Sequence, residues 1–257
     1  EDFGNRDFAG MLALGHDQRD MYRAATDVLV ALRRKPCPRD LPILRTGRSH
    51  HLPRFDRDAL EIELSLILDW YWPQTKGAPV PDGVRDEYNK LWAPLLDRML
   101  AEPEGLFLRD YHSPNLFWRP YETGLARIGV IDFQDALAEH WAYDVVSLLQ
   151  DARVTVPADL EHELFEYYCA EAARADPSFD RDAFAATYAV FGAQRNTRLV
   201  GLWVRLLRRD NKPGYLRHMS RTWDYLLRNL RHPALASIAG WYEAHFPQDI
   251  RNRPIDP

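Results

Sequence analysis

Apolar side chains recur every three or four residues over most of this chain, which is the spacing of one face of an α-helix. Residues 17–34 carry such a stripe, which ends before Pro36. The stripe consists of Met21, Ala24, Ala25, Val28, Leu29 and Leu32. Similar stripes predict helices over residues 55–71 and 81–100, the latter with a kink at Pro94. Residues 35–54 lack periodicity and are predicted to form a loop that has room for one short strand.

The pattern changes in the middle of the chain, where short β-favouring runs replace the helical stripes. These runs are residues 106–108, 115–118 and 128–131, separated by a loop and by a turn at Thr123-Gly124. Helical spacing returns in residues 142–152, 159–175, 180–208, 214–230 and 235–246. No internal repeat or long linker interrupts this order. We therefore predict an α+β fold over residues 1–257, a mainly helical lobe with a small β hairpin island.

Composition excludes several classes of protein. With 46% hydrophobic and 28% charged residues the chain is typical of a globular domain. Its formal charge is -5, and no basic block of the kind that binds nucleic acid occurs. No apolar run is long enough to span a membrane. Cys37 and Cys169 lack zinc-binding spacing, so we expect a cytoplasmic protein in a reducing compartment.

Polar residues that suit phosphoryl transfer follow two of the predicted strands. Asp110 and Asn115 lie five positions apart after the first strand, and Asp132 follows the third. Transfer from a nucleotide requires a carboxylate to orient the attacking hydroxyl and oxygen ligands to hold magnesium. Protein kinases use an Asp, an Asn five positions later and a second Asp after a hairpin. Asp110, Asn115 and Asp132 match that order.

Two runs carry a resemblance to a known family. They are Leu108-Arg-Asp-Tyr-His-Ser-Pro-Asn-Leu116 and Ile131-Asp-Phe-Gln-Asp-Ala136, followed by Ala-Tyr-Asp-Val-Val-Ser-Leu-Leu over residues 142–149. They resemble the aminoglycoside phosphotransferase and choline kinase superfamily, and the likeness covers nearly the whole chain. The first run is similar to the motif H-G-D-x-H-x-x-N, with Leu108 and Arg109 where His and Gly usually stand. The resemblance implies a protein-kinase-like fold, with this chain as its C-terminal lobe and ATP and Mg²⁺ as cofactors.

The same resemblance assigns roles to individual residues. It implies that Asp110 is the catalytic base or hydroxyl-orienting group, with Arg109 as a neighbour. It implies that Asn115 and Asp132 are magnesium ligands, that His112 supports the loop, and that Asp144 is a buried acid bracing it.

The first residues of the chain resemble the hinge between the two lobes of that family. The resemblance therefore implies that Glu1, Asp2 and Phe3 contact the nucleotide. The family's N-terminal lobe supplies a β-sheet, a loop over the phosphates and a lysine. None of these is recognisable in residues 1–257. We expect the N-terminal nucleotide lobe to be absent from this chain and to be needed for activity.

Two further runs indicate a particular group of kinases within this superfamily. Leu-Leu-Gln-Asp-Ala-Arg over residues 148–153 and Gly-Ala-Gln-Arg-Asn over residues 192–196 look like the cell-wall amino-sugar anomeric kinases. Those enzymes phosphorylate N-acetylmuramate and N-acetylglucosamine at the anomeric hydroxyl. A sugar acceptor and a nucleotide are the implied partners. The candidate acceptor-binding residues are His112, Gln134, Asp135, Arg195 and Asn196.

Each acceptor-binding candidate has a structural alternative. His112 could simply bond the loop backbone, Asp135 could cap the next helix, and Gln134 could be an ordinary exposed amide. Arg195 could bind the lactyl carboxylate of a muramic sugar through a bidentate pair, or form a surface ion pair. The aromatic residues 70–72 could stack on a sugar or pack in the core.

Two other functions remain open at this point. The same chemistry could act on an aminoglycoside, choline or homoserine. Because aminoglycosides are cationic, they favour an acidic pocket, whereas a muramic carboxylate favours an arginine such as Arg195. Alternatively the chain could be a non-catalytic nucleotide-binding module, against which the intact Asp110, Asn115 and Asp132 argue.

Overall fold

Helices account for most of the chain in a computed structural model that describes residues 2–101 and 105–256. In chain order the helices are α1 (Phe8–Ala13), α2 (Gln18–Arg33), α3 (Arg57–Leu66), α4 (Trp72–Lys76), α5 (Asp82–Ala101), α6 (Ala142–Leu149), α7 (Ala158–Ala175), α8 (Arg181–Arg208), α9 (Met219–Asn229), α10 (Ala236–His245) and α11 (Gln248–Arg251). A π-helix, Ile67–Tyr71, joins α3 to α4. The strands are β1 (Asp40–Ile43), β2 (Arg48–His51), β3 (Gly105–Phe107), β4 (Leu116–Trp118), β5 (Ile128–Val130) and β6 (Leu137–Glu139).

The strands form three antiparallel pairs, β1 with β2, β3 with β6, and β4 with β5. The predicted hairpin island is thus present as β4 and β5. Two expectations were incomplete. The segment 35–54 holds two strands where the sequence suggested a loop with one short strand, and β6 was not predicted. Its sequence Leu-Ala-Glu has no β-branched or aromatic residue, so no local preference marks it.

Two compact units make up the chain, and each is assembled from two separate stretches. Unit 1 comprises Glu1–Phe55 and Glu102–Phe184, and unit 2 comprises Asp56–Ala101 and Ala185–Pro257. Because neither boundary coincides with a long linker, the linear order of elements carries no signal of this division. No helix in the described part of the chain has both the length and the apolar run required to cross a bilayer.

The core of unit 1 holds the strand that leads into the candidate site. Helix α2 begins at Asp17, whose carboxylate accepts hydrogen bonds from two amides of the first turn, as its Asp N-cap favours. Strand β3 ends at Phe107, which is fully buried and whose ring lies 4.5 Å from that of Tyr143 on α6. Phe55 packs on the same ring of Phe107, with centroids 5.9 Å apart. This cluster fixes the end of β3.

An aromatic core fills unit 2. Tyr71 and Trp72 are buried, and their rings pack on Phe246 at centroid distances of 5.3 and 5.7 Å. Tyr88 lies 4.7 Å from Trp241 in the same core. Burial raises the pKa of the Tyr71 phenol to about 12. For Tyr71 and Trp72 the structure therefore supports core packing over stacking on a sugar.

Gly201 on α8 provides a test of this packing in unit 2. A Cβ built at Gly201 would lie 2.2 Å from the carbonyl carbon of Leu66, at the junction of α3 and the π-helix. Backbone cannot yield as a side chain can, so Gly201→Ala should lower the free energy of unfolding by about 1–3 kcal/mol. Chemical denaturation of the variant measures this change.

Gly240 on α10 is the matched control, because a Cβ there would meet nothing within 4 Å. Gly240→Ala should raise the free energy of unfolding by roughly 0.5–1 kcal/mol, the helix preference of Ala over Gly. Equal effects of the two substitutions would contradict the close approach of α8 to Leu66.

Candidate active site

The open end of the β4–β5 hairpin brings two of the predicted residues together. Leu116 lies opposite Val130, and the amide of Ile131 donates to the carbonyl of Asn115 at 3.0 Å. Asn115 therefore directly precedes β4 at the same end of the hairpin where Asp132 follows β5. The Asn115 Nδ2 lies 3.5 Å from Oδ2 of Asp132. Residues separated by 17 positions become neighbours through strand pairing alone.

The loop from Asp110 to Asn115 closes onto the same point. Asn115 Nδ2 donates to the backbone carbonyl of Asp110 at 3.0 Å. The amide of His112 also donates to that carbonyl, and the amide of Asn115 donates to the carbonyl of His112 at 2.9 Å. The Asp110 side chain is 38% exposed, so its carboxylate is accessible to a reactant. Asn115 thus contacts both Asp110 and Asp132.

Two buried carboxylates on or just after α6 hold this loop. Asp144 is 3% exposed and accepts hydrogen bonds from the amides of Leu108 at 2.7 Å and Arg109 at 3.1 Å. Asp151 is fully buried and accepts from the amide of Ser113 at 2.7 Å. Sequence reasoning expected the first brace and missed the second. The sequence signal that could have identified Asp151 was an acid placed shortly after the apolar run that forms α6.

His112 lies between the carboxylate of Asp110 and the guanidinium of Arg153. Its Nε2 is 3.5 Å from Oδ1 of Asp110, and an Arg153 guanidinium nitrogen is 3.2 Å from both ring nitrogens. His112 is 6% exposed. These contacts agree with support of the loop, while contact of His112 with an acceptor stays a prediction. Arg153 was not assigned a role from the sequence, although it belongs to the run 148–153.

Gln134 and Asp135 lie in an exposed turn after Asp132. Gln134 Nε2 donates to Oδ1 of Asp132 at 2.6 Å, so this amide orients the carboxylate. The capping alternative for Asp135 is wrong, because the next element is β6 and helix α6 begins only at Ala142. Acceptor binding by Gln134 and Asp135 stays a prediction.

Two residues of the site adopt left-handed backbone conformations. Arg109 has φ 70° and Asp132 has φ 60°. Such values cost a residue with a Cβ roughly 1–2 kcal/mol, and they cluster at functional sites. Arg109 occupies the position at which the resembling motif has Gly, which adopts this conformation without strain.

Arg109→Gly should therefore raise the free energy of unfolding by roughly 1 kcal/mol. Ala170→Gly, at an exposed position of helix α7, should lower it by about the same amount and serves as the control. Urea denaturation compares the two variants. A loss of stability in Arg109→Gly would mean that contacts of the arginine side chain outweigh its backbone strain.

Tyr111 anchors the loop to helix α2. It is fully buried, and its hydroxyl donates to the carbonyl of Ala25 on α2 at 2.9 Å. Burial, with the nearby Asp144 carboxylate, raises the pKa of the Tyr111 phenol well above its usual value. The phenol therefore remains neutral and serves as a hydrogen-bond donor.

The predicted nucleotide contacts at the start of the chain are partly described. Glu1 lies outside the described residues. Asp2 is exposed, and its carboxylate accepts from the amide of Gly4 at 2.7 Å. Phe3 packs on Phe117 of β4 with centroids 5.6 Å apart, and a Cβ at Gly129 of β5 would lie 2.9 Å from its ring. Nucleotide binding by these residues stays a prediction.

Arg195 and Asn196 belong to unit 2. Arg195 is 4% exposed, so it is not the surface ion pair that the structural alternative envisaged. Asn196 is fully buried, and its Nδ2 donates to the carbonyl of Gly192 one turn earlier at 2.8 Å. Contact of Arg195 and Asn196 with an acceptor stays a prediction.

The donor set at the hairpin end fits magnesium. Within residues 2–101 and 105–256, no three His, Cys, Asp or Glu side chains cluster to hold a metal. Magnesium is usually held by one or two protein oxygens together with substrate phosphates. Asn115 uses its Nδ2 on Asp110, and no described residue donates to its Oδ1. That oxygen and the exposed Asp132 carboxylate would be the protein ligands.

Comparison with curated proteins gives kinases as relatives. The N-acetylmuramate/N-acetylglucosamine kinase of Caulobacter vibrioides is 35% identical over 98% of this chain and 67% of its own length. The enzyme of the same name from Pseudomonas putida is 31% identical over 85% of this chain and 60% of its own length. The chain thus spans about two thirds of these relatives.

Solved structures share the fold. A choline/ethanolamine kinase family protein from Mesorhizobium loti matches 87% of this chain and 65% of its own, with a TM-score of 0.52 and 13% identity. Ethanolamine kinase from Plasmodium vivax matches 86% and 61%, with a TM-score of 0.55 and 13% identity. The kinase-like fold that the resemblance implied is therefore confirmed. A profile of the phosphotransferase enzyme family matches residues 7–183, and the chain belongs to that family.

Proposed function

We propose that this chain carries the catalytic residues of an ATP- and Mg²⁺-dependent kinase acting on a sugar hydroxyl. The observation that carries the proposal is the position of Asn115, which contacts the Asp110 loop and Asp132 at one point. That arrangement joins a hydroxyl-orienting carboxylate to a pair of oxygen ligands. The names of the relatives support the assignment as a kinase.

Asp110 accepts a hydrogen bond from the acceptor hydroxyl and orients its oxygen toward the γ-phosphorus of ATP. The sugar oxygen forms a bond to phosphorus, the bond from phosphorus to the bridging oxygen breaks, and ADP leaves. The hydroxyl proton passes to Asp110. When bound at Asn115 and Asp132, magnesium would neutralise charge on the phosphates. Asp144 and Asp151 hold the loop backbone, so Asp110 is in place before the acceptor arrives.

The acceptor we propose is N-acetylmuramate or N-acetylglucosamine, phosphorylated at the anomeric hydroxyl. The names of both relatives support this choice. We propose Arg195, Asn196, His112, Gln134 and Asp135 as the candidates for acceptor contact.

Nucleotide binding is proposed to involve more than the described residues. Asp2 and Phe3 would contact the nucleotide from this chain, and a sheet-containing lobe would cover the phosphates. The greater length of the relatives supports such a lobe in the complete protein. The need for ATP also supports a cytoplasmic location.

A coupled ADP-release assay on the complete protein tests the proposal, with N-acetylmuramate, N-acetylglucosamine and kanamycin offered separately. We expect turnover with the amino sugars and none with kanamycin. Turnover with kanamycin alone would keep phosphoryl transfer and overturn the acceptor. Binding of ATP and Mg²⁺ without turnover of any acceptor would favour a nucleotide-binding module instead.

A further inference from the structure

A segment rich in arginine and histidine follows α2 in unit 1. It consists of β1, β2 and their flanking residues, and we call residues 39–54 the basic hairpin. The basic hairpin contains four arginines and two histidines but one acidic residue, Asp40, in a chain of formal charge -5. Every residue of β1 and β2 is exposed. Core packing therefore does not account for this composition.

The base of the basic hairpin is tied to β6. Arg54 forms a parallel bridge with Ala138, whose amide donates to the carbonyl of Pro53 at 2.8 Å. The amide of Phe55 donates to the carbonyl of Ala138 at 3.4 Å. Because the pairing is parallel, the chain before Pro53 leaves at the end where β6 begins. The basic hairpin therefore emerges beside Leu137.

The two catalytic segments leave the same end of these strands. Strand β3 runs antiparallel to β6, and its last residue Phe107 lies opposite Leu137, the first of β6. The chain after Phe107 continues to Asp110, and the chain before Leu137 comes from Asp132. The basic hairpin, the Asp110 loop and the segment after Asp132 thus project from one edge of unit 1.

Two cations at the tip are available for a ligand. Among residues 2–101 and 105–256, no acidic side chain pairs with Arg45 or Arg48. Two hydrogen bonds close the turn that carries them: Thr46 Oγ1 donates to the carbonyl of Ile43 at 2.8 Å and accepts from the amide of Arg48 at 3.2 Å. By contrast, Asp40 in β1 lies 3.2 Å from His51 in β2.

Charge at this edge favours a role for those cations. The carboxylates of Asp110 and Asp132 repel an anionic reactant. The interaction energy of two unit charges 4 Å apart is about 1 kcal/mol even in water. Cations on the same edge offset that repulsion and raise the local concentration of anions. Resting on the proposed function, we propose that Arg45 and Arg48 of the basic hairpin bind an oxyanion of a reactant. The oxyanion is either the carboxylate of an acidic sugar or a phosphate of the nucleotide.

The test is steady-state kinetics on the complete protein carrying Arg45→Asn and Arg48→Gln together. Asn is chosen at position 45 because Arg45 has φ 68°, a conformation that Asn tolerates. The control, Lys212→Gln with Arg231→Gln, removes two exposed cations from unit 2 and changes the net charge equally. KM is measured for N-acetylmuramate, for the neutral N-acetylglucosamine and for ATP, at low and high salt.

Loss of two exposed charged contacts should raise the affected KM by roughly three- to tenfold at low ionic strength, and less at high salt. A rise in the KM for N-acetylmuramate alone identifies the sugar carboxylate as the bound oxyanion. A rise in the KM for ATP, whichever sugar is the acceptor, identifies a nucleotide phosphate as the bound oxyanion. No rise beyond that of the control, in a protein that turns over both sugars, overturns the inference. Turnover of neither sugar by the unaltered protein would contradict the proposed function instead.

Discussion

Asp110→Asn should reduce turnover by roughly two to four orders of magnitude, the usual contribution of a positioned acid or base. Asn keeps the shape of the side chain, but it carries no negative charge. It can therefore neither accept the hydroxyl proton nor orient the hydroxyl as a carboxylate does. The backbone carbonyl of Asp110, which Asn115 contacts, is unchanged by the substitution. The loop should therefore keep its conformation, and kcat should fall with little change in melting temperature.

Asp86→Asn is the control for this prediction, because Asp86 is an exposed carboxylate on α5. It should leave turnover within about twofold of the unaltered protein, since exposed substitutions away from special features have small effects. Steady-state ADP release measures both variants. Near-normal turnover in Asp110→Asn would remove Asp110 from its assigned role and leave the fold assignment intact.

Asp144→Ala should be the most destabilising carboxylate substitution we consider. It removes both acceptors from the amides of Leu108 and Arg109, which are left unsatisfied at a half-buried position. Each buried unsatisfied donor costs about 1–3 kcal/mol, so the free energy of unfolding should fall by roughly 3 kcal/mol. Because those amides begin the catalytic loop, kcat should also fall.

Asp86→Ala supplies the comparison, with an expected change within about 0.5 kcal/mol. Chemical denaturation measures the free energy of unfolding. ADP release, under conditions where both proteins remain folded, measures kcat. If Asp144→Ala unfolded at the same denaturant concentration as the unaltered protein, the carboxylate would not be holding these amides.

The approach of Asn115 to the Asp110 loop and to Asp132 was predictable because short sequence intervals separate these residues. Asp110 and Asn115 lie within one loop, and a tight hairpin returns the chain to Asp132, so neither needs distant contacts to be recognised. Helices such as α2 were predictable for a related reason. An apolar stripe with an Asp N-cap is a local signal that burial then reinforces.

Features set by long-range pairing were not predictable. Strand β6 forms because β3 and Arg54 lie on its two sides, and nothing in Leu137-Ala-Glu indicates these partners. Asp151 acts on Ser113, 38 positions away, through a backbone amide that no residue preference marks. The second strand of the basic hairpin was hidden by a composition of Arg, His and Pro that is typical of loops.

A hairpin that buries none of its strand residues also bears on how this family diverges. Substitutions in β1 or β2 change charge without disturbing a core, so they cost little folding free energy. The loop from Leu108 to Asn115, by contrast, is held through Asp144, Asp151 and Tyr111 and tolerates little change. Under the proposed function, selection for a new acceptor can therefore act on the basic hairpin while Asp110, Asn115 and Asp132 stay as they are.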